Sequence, residues 1–152
     1  MKPQQSIIAE VELVYRNKVK ASDRIKVRSS RDAFTIFKEN WDLDTIEHVE
    51  QFNILLLNRS NAVLGIMSIS KGGISGTVTD VRIILQAAIK ANASGLIACH
   101  NHPSGNLNPS ESDTKITQKI KDAGNIMDIQ LLDHLIITGE DVYYSFADNG
   151  YN

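Results

Sequence analysis

The chain is poor in the residues that staple, break or anchor a fold. It has one cysteine in 152 residues, which excludes an internal disulfide framework and any cysteine-built zinc finger. Its three prolines and nine glycines fall mostly at apparent joints, so little interrupts helices and strands. No apolar run approaches the roughly 18 residues that span a bilayer. The opening stretch, MKPQQSIIAEVELVYR, lacks the charged and apolar regions of a signal peptide. The expectation is a cytoplasmic chain without membrane contact, with Cys99 reduced. Only four histidines are present, which limits a metal site to a small set of imidazoles and carboxylates. There is no internal repeat and no low-complexity segment.

What is there is ordinary for a soluble domain: 42% hydrophobic and 22% charged residues, enough to bury a core. The length suits one domain over residues 1–152. Net charge is −2, so the whole chain does not advertise nucleic-acid binding. The charge is uneven, however. Residues 1–40 carry nine Lys+Arg against five Asp+Glu, and residues 41–152 carry seven against thirteen. The basic first quarter reads either as a solvated edge strand, where lysines discourage pairing, or as a contact for phosphates or an acidic partner. No aromatic residues interleave with these charges, as single-strand binding would require.

Periodicity gives the element order. Residues Ile7–Tyr15 read as a strand, and Arg24–Arg28 as a half-buried one. Ser29 and Asp32 are spaced as a capping pair, ahead of a helix over residues 31–41 with Ala33, Phe34, Ile36 and Phe37 on one face. Residues 1–41 thus form a strand–strand–helix portion of the domain. Residues 50–57 and 62–70 make a hairpin around NRSN, and KGGISG is a loop. Thr79 caps a helix with Val81, Ile84, Leu85, Ala88 and Ile89 inward. Leu96–His100 is a short buried strand. A loop over residues 101–109 leads to a helix opened by Ser110 and closed by Gly124. Strands over residues 129–137 and 142–146, joined by TGED, complete the chain. Interspersed strands, hairpins and helices favour an α/β fold: a mixed, mostly antiparallel sheet with flanking helices.

One stretch carries chemistry. Residues 100–113 read HNHPSGNLNPSESD. His100 and His102 stand two apart at a strand end, on the same face. Ser110 and Asp113 stand three apart at a helix start, again on one face. Pro103, Gly105 and Pro109 shape a loop able to bring the two pairs together. Two neutral imidazoles, one carboxylate oxygen and a solvent position make a tetrahedral set suited to zinc with a corner open for catalysis. On average composition this four-position pattern arises by chance in roughly one such chain in several thousand. The plainer reading is that the histidines are polar loop groups and Asp113 is the partner of a Ser110 cap. The two readings are compatible, since a cap orients a ligand.

These residues resemble the JAMM (JAB/MPN) metalloprotease motif. The longer string ACHNHPSGNLNPSESD, with LLDHLIIT and YYSFADNGY downstream, is similar to the RadC family, long labelled DNA repair proteins. The likeness runs from about residue 24 to the C-terminus. It looks like a short form without the helix-hairpin-helix region that RadC proteins commonly carry, a form associated with mobile elements. The segment SGTVTDVR departs from the family's usual entry to its helix, so substrate contacts near Thr79–Arg82 are not carried over. The resemblance implies a JAB1/MPN sandwich, like that of cytidine deaminases, with His100, His102 and Asp113 as zinc ligands. It implies a general acid/base glutamate before a phenylalanine at a strand start. That is Glu50 in EQF, with Glu47 as the other candidate. It further implies that Ser110 donates to a developing oxyanion, beside its role as a cap. The implied activity is zinc-dependent hydrolysis of peptide or isopeptide bonds in a protein substrate.

An interaction module of a mobile element, associated with DNA, is the reading from another class. A deaminase is set aside, because H-x-E and P-C-x-x-C are absent. Edge strands near both termini leave a homodimer open. Asp133–His134 reads either as a local hydrogen-bonded pair or as a partner that orients a ligand imidazole. Cys99, next to His100 on a strand, should face the other side as a small buried residue. His48 should lie at the surface. Gly72–Gly73 is too weak for a phosphate loop, and Gly76–Thr77 reads as turn chemistry.

Overall fold

The computed structural model describes residues 7–12, 14–72 and 79–151. Helix α1 spans Ser30–Glu39, with the Ser29 side chain accepting from Asp32 N. Asp32 Oδ2 accepts in turn from Arg28 N at 2.9 Å. The hairpin strands are β1 (Gln51–Leu57) and β2 (Val63–Lys71). They are followed by α2 (Val81–Lys90), β3 (Gly95–Asn101), α3 (Glu111–Ile126), β4 (Gln130–Ile137) and β5 (Tyr143–Ser145). The sheet order is β2-β1-β3-β4-β5. Among neighbouring strands only β3 and β4 are parallel, and the helical crossover α3 joins them; α2 likewise carries the chain from β2 over to β3, on the other side of β1.

Alternation along β1 and β3 sorts the core into two layers. Leu55, Leu57, Ile97 and Cys99 pack with Phe34, Phe37 and Trp41 on the α1 side. Phe52, Ile54, Leu56, Leu96 and Ala98 pack with Val81, Ile84, Ala88 and Ile120 on the side of α2 and α3. Buried on both faces, β3 reads as the near-continuous apolar run expected of such a strand.

One irregularity matters for the site. The β3–β4 register pairs Leu96 with Leu131 but Ile97 with Asp133, so Leu132 is an extra residue. Leu131 packs on the α3 side, whereas Leu132, Leu135 and Ile137 pack on the α1 side. Strict alternation from Leu131 would have put Leu135 and Ile137 on the α3 side. The bulge reverses the parity, and so turns His134 toward α3.

Four sequence expectations are corrected. Residues 7–12, 14 and 15 form no strand, and Ile7, Ile8 and Val11 are exposed. A strand needs a ladder partner, and among the described residues this stretch reaches the sheet through the Tyr15 hydroxyl, which donates to Leu64 O. Arg24–Arg28 contributes a single bridge, Lys26 to Ala62, in place of a strand. Asp80, not Thr79, caps α2, because its carboxylate is the group that reaches Arg82 N. Finally, α3 runs past Gly124 to Ile126. Gly124 is required by a close approach instead: a Cβ there would collide with the Ile129 carbonyl. The readings placed on Gly73 and on Gly76–Thr77 lie outside the described residues. No helix among the described residues is long and apolar enough to cross a membrane.

Candidate metal centre

The open end of β3 places both histidines. His100 pairs with Phe52 across β1, and the two rings lie parallel within 2°, 6.0 Å apart. The chain leaves the sheet at Asn101, but His102 N still donates to Ile137 O at 2.9 Å. That bond holds His102 beside β4, on the same side as His100. A turn follows, with Gly105 N donating to His102 O and Gly105 at φ 86°, a region that favours glycine. The turn reverses the chain toward the start of α3.

There the capping box is complete. Asp113 N donates to Ser110 Oγ at 3.1 Å, and Ser110 N donates to Asp113 Oδ2 at 2.8 Å. The box fixes the Asp113 rotamer and aims the carboxylate at the histidines. His100 Nε2 lies 3.2 Å from Asp113 Oδ1, and His102 Nε2 lies 3.1 Å from Asp113 Oδ2. The two Nε2 atoms are 3.1 Å apart. One ligand atom from each of the three residues thus falls within 4.8 Å of the others.

The donor chemistry of this cluster fits a cation. His102 Nδ1 sits 2.6 Å from Asn106 O, a carbonyl that can only accept, so Nδ1 carries the proton. In a neutral ring Nε2 then presents a lone pair, and it faces a carboxylate oxygen. Two acceptors at that distance require a positive charge between or upon them. It is supplied either by a second proton on His102 or by a metal ion. The ionisation trends agree. Burial alone would depress His102, but hydrogen bonds to Asp113 and Asn106 outweigh it and raise the imidazole. Burial would raise Asp113, yet the neighbouring His100 and His102 outweigh it and hold the carboxyl well below the usual range.

Glu50 immediately precedes β1 and, with His102, Asn106, Asn108, Ser110 and Asp113, lines a cleft of about 360 Å³ over the cluster. Partial burial raises its carboxyl, the Asp113 charge adds to this, and the two histidines oppose it. Glu47 is instead exposed and packs against Gly139, away from the cleft lining. Ser110 Oγ accepts the cap bond and keeps its own proton, which has no acceptor among the described groups.

The sequence reading passed over Asn101, between the two histidines. It points to the α1 side and is fully buried. Its Oδ1 accepts from Gln51 N at 2.7 Å. Its Nδ2 donates to Ile46 O at 2.7 Å and Val49 O at 2.9 Å. The backbone is therefore gripped on both sides of Glu50. A polar residue at an inward strand position was the available signal, since such a group needs buried partners.

Asp133 and His134 have separate roles. The Asp133 carboxylate accepts from His134 N, Ala147 N and Ser145 Oγ, tying β4 to the residues around β5. The His134 ring, fully buried, lies 2.8 Å from His100 through Nε2 and Nδ1. Burial, with the neighbouring His100, holds it well below the usual imidazole range, hence neutral. Cys99 is buried on the opposite face of β3, where burial pushes its thiol well up. His48 is exposed.

Comparison with known proteins gives matches over most of the chain. A family model described as a RadC-like JAB domain matches residues 27–151. A UPF0758 protein of Flavobacterium johnsoniae is 49% identical over 146 residues, 95% of this chain and 62% of that protein. A UPF0758 protein of Clostridium beijerinckii is 38% identical over 144 residues, 94% of this chain and 61% of its own length. The chain therefore spans about three fifths of the length of these two curated relatives.

Proposed function

The chain belongs to the RadC-like JAB domain family, and from that premise we propose that it is a zinc-dependent metallohydrolase of the JAMM type, acting on peptide or isopeptide bonds of a protein substrate. The observation that carries this reading is the convergence of His100, His102 and Asp113 on one point beneath a cleft. These three residues would hold the ion. Two nitrogens and one oxygen are the donor set that zinc favours while leaving a position open. When bound there, zinc would acidify a water and polarise a carbonyl oxygen.

The chain's own residues would do the rest. Glu50, half-buried and with its carboxyl raised, is suited to take a proton from a water at its carboxylate oxygen and return it to the leaving nitrogen. Ser110 Oγ–H, which has no acceptor among the described residues, is available to donate to a developing oxyanion. Its cap bond to Asp113 N holds that hydroxyl at the cleft edge. A buried, unpaired Cys99 suits a reducing, cytoplasmic setting.

Elemental analysis of protein purified without chelator, followed by zinc titration, tests the centre. One ion per chain is expected, with large loss of metal in His100→Ala and Asp113→Ala. A wild-type chain that takes up no zinc would remove the reading. Turnover of model peptide or isopeptide substrates tests Glu50. Glu50→Gln should keep metal and lose activity, while Glu47→Gln should retain it; the reverse outcome would move the base to Glu47.

A second reading draws on the exposed basic residues Arg16, Lys18 and Lys20. It makes the domain a DNA-associated module of a mobile element. Phosphate contacts would show as binding that falls steeply with salt, and absence of binding at low salt would retire it.

A further inference from the structure

We infer that Thr117 and His134 are positioning residues that set the tautomer of His100, and so decide whether its Nε2 offers a lone pair to a cation. The inference rests on reading His100 as a metal ligand. The argument is one of hydrogen-bond direction. Thr117 lies on α3, four residues after Asp113, and its hydroxyl donates to Asp113 O at 2.6 Å. A carbonyl oxygen can only accept, and a hydroxyl has one proton. The second contact of Thr117 Oγ1, with His134 Nδ1 at 2.6 Å, must therefore be received. His134 Nδ1 carries the proton, and His134 Nε2 has a lone pair. That lone pair faces His100 Nδ1 at 2.8 Å, so His100 Nδ1 donates. His100 Nε2 is left bare and aimed at the Asp113 carboxylate and His102.

The reverse arrangement has two faults. It leaves Thr117 Oγ1 and Asp113 O in contact without a proton between them. It also puts an N–H on His100 Nε2, where a ligand needs a lone pair. His134 and Thr117 are fully buried and His100 is 1% exposed, which leaves little access for solvent to repair a broken link. Phe146 stacks on His134 within 16° and Phe52 on His100 within 2°, so neither ring is free to turn. His102 reaches the same tautomer through Asn106 O. Asp113 thus serves the centre twice, through its carboxylate and, by way of Thr117 and His134, through its carbonyl.

The test uses the full chain. Long-range proton–nitrogen correlation spectra of the metal-free wild type read the tautomers directly. Nδ1–H forms at both His100 and His134 are expected, and Nε2–H at His134 would overturn the inference. Zinc affinity is then measured by competition with a chromophoric chelator. Thr117→Val, which keeps the shape and removes the hydroxyl, and His134→Phe should each weaken zinc binding about 10–100-fold, as loss of a ligand's partner commonly does. Thr117→Ser, which restores the hydroxyl, should recover most of that loss. Wild-type affinity in Thr117→Val, with the wild-type tautomers, would refute the inference while leaving the metal centre standing. A wild type that binds no zinc would instead sink the metal reading, and the metal-free spectra would still decide the direction of the chain of bonds. Should Thr117→Val fail to fold, the wild-type spectra and the serine variant decide.

Discussion

Replacing Asn101 by alanine separates the positioning of Glu50 from the holding of metal. The side chain makes three hydrogen bonds, a buried one to Ile46 O and part-buried ones to Gln51 N and Val49 O. Each is worth about 1 kcal/mol net, so Asn101→Ala should cost about 3 kcal/mol. If the orphaned backbone groups stay dry, the loss is larger. For a chain of this size 1 kcal/mol shifts the melting temperature by about 2–4 °C, which makes the expected drop about 6–12 °C. The damage is local to residues 46–51, whereas His100 and His102 keep their bonds to β1, β4 and Asn106. Zinc affinity should therefore stay within a few-fold of wild type while hydrolysis falls, because the segment bearing Glu50 is no longer gripped. Urea denaturation gives the energy, hydrogen exchange at Gln51 N reports the released bond, and chelator competition gives the affinity. A variant within about 0.5 kcal/mol of wild type, the range of an ordinary surface substitution, would refute the reasoning. Equal loss of metal and turnover would show that Asn101 supports the ligands instead.

The metal-free chain should lose stability on both sides of neutrality: on the acid side because His134, buried and held well below its usual range, and Asp113 resist protonation in the fold, and on the alkaline side because His102 loses its proton. Asp113 is depressed in the fold, so its contribution is present above the unfolded value near 3.8 and is lost as pH falls toward the folded one. His102 is raised, so its contribution is present below 6.5 and is lost as pH rises through the folded value. Melting temperature against pH should show both limbs; Asp113→Asn should weaken both, because the acid limb draws on its carboxylate and the alkaline limb on its bond to His102, and a metal-free wild type with unchanged stability from pH 5 to 9 would contradict the His102 limb. Zinc affinity should climb with pH over the alkaline limb, since the ion competes with the imidazole proton. Gly124→Ala should destabilise rather than stabilise the chain despite its helical position, because the added methyl meets the Ile129 carbonyl. A gain in stability, as at an unobstructed helix position, would show that the α3–β4 turn yields.

Much of the centre was legible from local rules. Two residues apart on a strand share a face, which pairs His100 with His102 and sends Cys99 to the other side. A serine three residues before an aspartate at a helix start is a capping box, which aims Asp113. Amphipathic spacing located the three α-helices of the described residues, and the order of elements implied a mixed sheet. Each of these follows from short-range backbone geometry, so the chain by itself decides them. The expected strand over residues 7–15 failed for the complementary reason: strand-forming residues need a neighbour to pair with, and local composition does not supply one.

Long-range placement decided the remainder. The sequence favoured Glu50 over Glu47 as the glutamate at a strand start, but only the junction before β1 puts one in the cleft lining and leaves the other on Gly139. Asn101 became a clamp because the segment before β1 crosses the α1 side of β3. His134 meets His100 because a single bulge at Leu132 reverses which face of β4 it occupies. A bulge arises from the fit between neighbouring strands, and the direction of a proton in a buried chain of bonds depends on its far end, here the Asp113 carbonyl. The amino-acid order therefore determined which groups could bind a cation, and tertiary packing decided which of them meet and where their lone pairs point.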